Sequence, residues 1–365
     1  MAVYKIFPEK SATLYSFYPS LNSGIDEIMD ISTYFSAGGT NEVSRAIIKF
    51  PSNEISGTIA SKIAGRSFDV YLRAYLAHAS SIPLDYTLFS HPLYESWNQG
   101  TGRLANAPIT TDGASWVFTD QSGSVKWING VFPIGVTGSY TGSNAGGGEW
   151  WTSALYQSTQ SFTNISSKDI EMKVTEVVKA WNSGSINNHG FILKHSSSLE
   201  FTTASKFELK YFSDNTHTIY PPALEFRWDD SSYTTGSLTV FTSSLCAVTM
   251  WNNKAEFQQD SVQRFRVNVR DIYPSTAFRT TLSYANSKAL PSSSYWSIKD
   301  LDTEEIVVDY DTSYTKISCD SSGNYFNVYM NGLEPERYYK VLIKSVFSNG
   351  ETIVFDENYI FKVVR

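Results

Sequence analysis

Short apolar runs bounded by turn residues recur along the chain, and where they alternate they do so with a period of two. In Lys206 to Tyr211 (KFELKY), Phe207, Leu209 and Tyr211 alternate with Lys206, Glu208 and Lys210, the pattern of a strand with one wet face. Arg45 to Phe50 (RAIIKF), Ser67 to Ala77 (SFDVYLRAYLA), Gly190 to Lys194 (GFILK) and Ala223 to Trp228 (ALEFRW) are further runs of strand length. One segment alone reads clearly as helix. Val174, Val177, Val178 and Trp181 fall at i, i+3, i+4 and i+7, with Thr175 as the expected cap and Gly184 beyond the end. A helix of about two turns needs a sheet to pack on. Trp181 is therefore expected as a core anchor.

The rhythm changes at Asp229-Asp230-Ser231-Ser232, straight after the run ending in Trp228, and predicts a boundary near residue 230 with domains at 1–230 and 236–365. In the second domain Phe265, Val267 and Val269 alternate with Arg264, Arg266, Asn268 and Arg270, and Phe326, Val328 and Met330 alternate with Asn327 and Tyr329. Asn349-Gly350 separates VLIKSVF from ETIVFD, a hairpin signal. Leu333, Pro335 and Tyr339 stand in an arrangement that resembles the tyrosine corner of fibronectin type III and related sandwiches. The expectation is a mainly β protein whose second domain is an immunoglobulin-like sandwich.

Composition agrees with this pattern. Of 365 residues 41% are hydrophobic and 15% aromatic, residue types that suit pleated, half-buried surfaces. The formal net charge is −7 and no Lys/Arg run occurs, so a nucleic-acid partner is not expected. No apolar run approaches the length of a membrane span, and the opening MAVYKIFPEKSATLYSF lacks the apolar stretch of a secretory signal. Cys246 and Cys319 are too few for a disulfide framework or a cysteine zinc site, and are expected as reduced, partly buried thiols.

Candidate chemistry is sparse. The stretch Tyr94 to Arg103 (YESWNQGTGR) has the glycines of a phosphate loop, but Leu104-Ala105-Asn106-Ala107-Pro108 follows where a helix should open. His78, His91, His189, His195 and His217 show no metal-ligand spacing on a helix. Glu304 and Glu305, adjacent in a strand-like segment, would point to opposite faces. Asp26 and Glu27 with Asp229 and Asp230 could offer oxygens to calcium, although solvated charges at a junction are the preferred reading. No nucleophile, base and orienting group stand in recognisable spacing, so no catalytic residue, cofactor or enzymatic activity is expected.

Long stretches rich in Gly, Ser and Asn, notably Gly100 to Gly113 and Ile134 to Trp151, predict functional or interface loops. Trp116, Trp127, Trp150 and Trp151 lie in or beside such loops and are the candidate interface or glycan contacts, with interface preferred. Burial against the loop's own domain stands as a nearly equal alternative for Trp150 and Trp151.

Two resemblances follow from these residues. The order SATLYSFYPSLNSGIDEIMDI, SRAIIKF, VYLRAYLA, YESWNQGTG, IEMKVTEVVKAWNSGSINNHGFILK, YPPALEFRW resembles the disaggregatase-related (DNRLRE) family of β-sandwich modules. Trp97 matches that family's W-x-x-G-like loop and the Val174 to Trp181 segment its D-V-T-x-x-V-x-x-W element, with Lys173 standing where the family has aspartate. The resemblance implies a jelly roll similar to carbohydrate-binding modules and without catalysis.

Taken whole, the chain is similar to structural proteins of T4-related contractile-tailed phages that infect marine cyanobacteria. The similarity lies in YPPALEFRWDDSSYTTGSL, in KALPSSSYWSIKDLDTEEIVVDYDTSYTKISCDSSGNYFNVYMNGLEPERYYKVLIKS and in FKVVR. It implies a virion component of the neck, tail or baseplate, assembled in the host cytoplasm. Its partners would be other virion proteins, in a homo-oligomer or symmetric ring, with no membrane partner. A carbohydrate-binding adhesion module that recognises host polysaccharide is the alternative.

Overall fold

A computed structural model describes residues 2–35, 39, 41–128, 146–200, 202, 207–251, 253–273 and 287–365, and the backbone of 136–140. The chain is mainly β and divides into two compact units. One comprises Ile6–Ala64 and Asp69–Glu225; the other comprises Met1–Lys5, Gly65–Phe68 and Phe226–Arg365. Among the described residues no helix is long and apolar enough to cross a membrane.

The first unit holds an eight-stranded sheet. Its order is Ser158–Thr163, Asp85–Pro92, Phe191–His195, Asn41–Lys49, Ile28–Phe35, Phe207–Phe212, Leu76–Ser80, and Lys10–Tyr15 also pairs with Asn41–Lys49. The expected alternation is visible in Phe207–Phe212, where Phe207, Leu209 and Tyr211 are buried and their neighbours are half-buried. Phe191–His195 is buried at every position, its apolar start Phe191, Ile192 and Leu193 followed by the buried polar residues Lys194 and His195. Within the same unit Ile170–Lys173 pairs antiparallel with residues 71–74.

The helix spans Thr175–Ser183, and Gly184 ends it in the left-handed conformation at φ 74°. Trp181 packs on Phe191 with ring centroids 4.6 Å apart. The expected cap is corrected: Val174 holds the N-cap position, and Thr175 is the first helical residue. The Thr175 hydroxyl instead accepts the Val70 amide at 2.9 Å, which ties the helix start to a strand. Further helix appears at Ser52–Gly57, continuing as a π-helix over Thr58–Ile63, and at Ser197–Glu200. The buried residues Ile55, Thr58 and Ile63 are spaced three and then five apart, so the wide turn removes the 3.6-residue signal.

In the second unit, Cys246–Trp251, Val262–Asp271, Gly323–Tyr329 and Ser318–Asp320 form one sheet. Glu256–Gln258, Thr352–Val364, Tyr338–Val346, Ser294–Asp300 and Ile306–Val308 form another. Buried side chains of both sheets join in one core: Phe265, Val267 and Phe326 meet Trp296, Val341 and Phe361. Trp296 stacks on Phe326 at 5.3 Å, and Phe326 stacks on Phe265 at 5.4 Å. The Asn349-Gly350 turn closes the Tyr338–Val346 and Thr352–Val364 hairpin, with Gly350 at φ 88°. The Tyr339 hydroxyl donates to the Glu334 carbonyl at 3.0 Å. Cys246 and Cys319 are free, buried thiols, each pushed up to about 11 by burial. Glu304 and Glu305 are not in a strand: they lie in the turn before Ile306–Val308, with Glu304 at φ 62° and paired to Lys299.

Candidate functional site

The YESWNQGTGR segment winds around one buried side chain, Asn22. The Asn22 amide donates to the Gln99 and Ala114 carbonyls at 2.7 and 2.8 Å, and its oxygen accepts the Gly24 and Gly102 amides at 3.1 and 2.8 Å. Gly100 sits at φ 76°, where an added Cβ would fall 2.5 Å from Asn22 Oδ1. The Thr101 amide donates to the Asp112 carboxylate at 3.0 Å. The Thr101 and Gly102 amides are thus taken by protein, and the loop is no phosphate cradle. Trp97 is buried beneath it, its indole nitrogen donating to the His189 carbonyl at 2.9 Å. The Lys10 ammonium lies 4.4 Å from the Trp97 ring centre and donates to the Trp97 carbonyl; burial lowers the Lys10 pKa to about 8.

Three of the four candidate tryptophans are core residues. Trp116, Trp127 and Trp150 form a buried cluster with Trp97, Leu14, Leu93 and Ile192, and the Trp127 indole donates to the Ser115 carbonyl at 3.0 Å. Gly146–Trp151, expected within a long loop, is a strand paired antiparallel with Val136–Tyr140. Residues 134–135 and 141–145 of that expectation lie outside the described residues. The consecutive glycines answer a packing need. At Gly147, with φ 81°, a Cβ would fall 2.7 Å from the Trp116 ring and 2.8 Å from Arg45 Nη1. Trp116, Trp127 and Trp150 are thus buried in their own unit, the alternative the sequence left nearly equal for Trp150. Trp151 alone stays half-buried at a surface, with Tyr94 edge-on at 5.3 Å.

Trp151 and Tyr94 line a cleft of about 630 Å³ together with Glu95, Asn98, Asp120 and an edge of Trp97. His189 is also in its wall, kept toward the neutral form by burial and by Lys49 and Lys10. Among the described residues its wall contains no Lys or Arg. Beside the cleft the Glu95 and Glu149 carboxyls are neighbours, and the Ile128 amide favours the charged form of each. Burial, then the Glu95 charge and hydrogen bond, raise Glu149 to about 8, while burial raises Glu95. Glu149 Oε2 and Glu95 Oε2 are buried without a partner.

A second polar cluster lies inside the eight-stranded sheet's unit. Arg45, fully buried, makes a forked pair with Glu200 at 2.9 and 2.7 Å and donates to the Gly147 carbonyl at 2.8 Å. Lys194, also buried, pairs with Glu200 at 3.2 Å. The Arg45 guanidinium lies 5.1 Å from the Trp116 ring and 5.2 Å from the Trp150 ring. His195 and His91 are buried nearby and pushed down to about 4 by burial. Burial lowers Lys194, whereas Arg45 and Lys194 hold Glu200 below the usual carboxylate range against its burial. Sequence reasoning missed this cluster, although Arg45 and Lys194 both border unbroken apolar runs.

The calcium candidates have other partners. Asp26 accepts the Leu104 amide at 2.9 Å, Glu27 faces Arg103 at 3.9 Å, and Asp229 accepts the Ser231 amide at 2.8 Å. Among the described residues no group of three His, Cys, Asp or Glu side chains is placed to hold a metal. No protein-family model matches the chain, and no curated protein matches it.

Proposed function

We propose that this protein is a non-enzymatic structural component of a contractile-tailed phage virion, in the neck, tail or baseplate, bridging neighbouring subunits. This reading rests on the resemblance of residues 220–238 and 288–345, read from the sequence, to structural proteins of T4-related cyanophages. Those segments supply most strands of the second unit, including the Tyr338–Val346 strand that carries Tyr339. The finer fold reading is a jelly roll in the first unit and an immunoglobulin-like sandwich in the second. Two sheets over one core, with the Tyr339 hydroxyl turned back to Glu334, support the latter. A peptide inventory of purified particles and of their separated necks, tails and baseplates tests the assignment. The protein is expected at fixed stoichiometry in one subassembly; absence from washed particles would sink the proposal.

A second reading, carbohydrate binding, is favoured by the cleft around Trp151, whose wall mixes ring surfaces with hydrogen-bonding side chains. A virion subunit with such a cleft could also attach the particle to a host polysaccharide.

A further inference from the structure

We infer that the cleft formed by Tyr94, Glu95, Asn98, Asp120 and Trp151 binds a neutral glycan, with Trp151 and Tyr94 as the ring-stacking wall and Asn98 and Asp120 as hydroxyl partners. This rests on the carbohydrate reading and deepens it by fixing the residues and the charge class of the ligand.

Three observations carry it. The cleft's volume, about 630 Å³, lies within the range of small-ligand sites. Its aromatic content is placed to be used: Trp151 and Tyr94 are half-buried, whereas Trp116, Trp127 and Trp150 are spent in the core. The C–H face of a sugar ring meets an aromatic face, and its hydroxyls meet amide and carboxylate oxygens, so one wall of each kind suits a pyranose. Charge disfavours the acidic glycans. Asp120 and Glu95 are on the wall and no Lys or Arg among the described residues lines it, so a carboxylate or sulfate brought there meets two acidic side chains. Glu149 belongs to the Gly146–Trp151 strand and is followed two residues on by Trp151. The Tyr94 amide donates to the Glu149 carbonyl at 2.9 Å, so the two ring-bearing segments are held in register.

The test uses the full chain. A printed array of neutral glucans, mannans and xylans beside uronates, sialylated and sulfated glycans is screened first. Calorimetric titration with neutral pentasaccharides of glucose, mannose and xylose follows, on the natural protein, Trp151→Ala and Asn98→Ala. The second variant guards against misfolding of the first, because Asn98 is exposed. Binding of a neutral probe, weakened about tenfold or more in both variants with thermal unfolding unchanged, is the expected result. Binding confined to anionic glycans overturns the neutral-ligand inference and leaves the carbohydrate reading standing. Neutral binding that neither variant weakens removes it from this cleft. Silence across the array overturns both, without touching the virion assignment, which the particle inventory tests separately.

Discussion

Glu200→Gln is the most informative single change in the first unit. Glu200 is 1% exposed and its two oxygens accept from Arg45 at 2.9 and 2.7 Å, with Lys194 at 3.2 Å from the second oxygen. Glutamine keeps the volume and one acceptor but deletes the only buried carboxylate charge in direct contact with these two cations among the described residues. Removing one partner of a buried pair typically costs about 3–5 kcal/mol, because the remaining charge is left uncompensated. In a unit of this size about 1 kcal/mol corresponds to roughly 2–4 °C, so the transition of the first unit falls by about 6–20 °C. Lys194 sets the pH dependence. Its pKa is already lowered by burial and loses Glu200's support in the variant, so raising the pH discharges it and the deficit narrows. Differential scanning calorimetry between pH 6 and pH 9 measures both effects. Lys49→Gln, which breaks the partly exposed 2.7 Å pair with Glu9, is the control and changes stability by at most about 1 kcal/mol. A Glu200→Gln protein that melts within about 2 °C of the natural one refutes the description of this cluster as a buried, charge-compensated network.

Three further outcomes follow from the same geometry. His91 and His195 ionise at about 4 in the folded protein against about 6.5 when unfolded, so the unfolded chain binds more protons below pH 6.5. Stability is expected to fall as the pH drops from 6.5 toward 4, by about 3 kcal/mol for each histidine at completion, and a urea-melt series that is flat across this window contradicts it. Glu149 is raised to about 8, so its contribution is complete below the unfolded carboxylate value and is lost as the pH rises through 8. Glu149→Gln therefore removes alkaline destabilisation in that window, measured as a flatter melting temperature against pH. In the second unit Tyr339→Phe leaves the Glu334 carbonyl without its 3.0 Å donor and costs about 1–3 kcal/mol in chemical denaturation.

What the sequence discloses is the part of the structure governed by neighbours along the chain. Phe207, Leu209 and Tyr211 alternate with charges and turn inward on a strand; Phe265, Val267 and Val269 do the same, and Asn349-Gly350 sits in a hairpin turn. Each of these signals lies within a few residues. The helix cap and the burial of the tryptophans depend on partners remote in sequence. Thr175 was a reasonable cap until Val70, 105 residues away, took its hydroxyl. Trp116, Trp127 and Trp150 stand in Gly- and Ser-rich surroundings, and composition cannot distinguish a tryptophan that protrudes from one that is covered.

The glycines beside Trp150 show the physical reason for that blindness. Gly147 is required because Trp116 and Arg45 arrive from 31 and 102 residues away and occupy the space of a side chain. A run of glycine that reads as a flexible loop is here the footprint of a close approach by an indole and a guanidinium. The same approach buries Arg45, whose compensation comes from Glu200, 155 residues further on. The candidate cleft inherits this remoteness: Glu95 and Glu149 are 54 residues apart, and the Leu93 to Trp150 bridge and the Tyr94 amide to Glu149 carbonyl bond bring their segments together. A site of this kind belongs to the register of a sheet rather than to any motif, so Trp151 differs in role from Trp150 because adjacent residues of a strand face opposite ways.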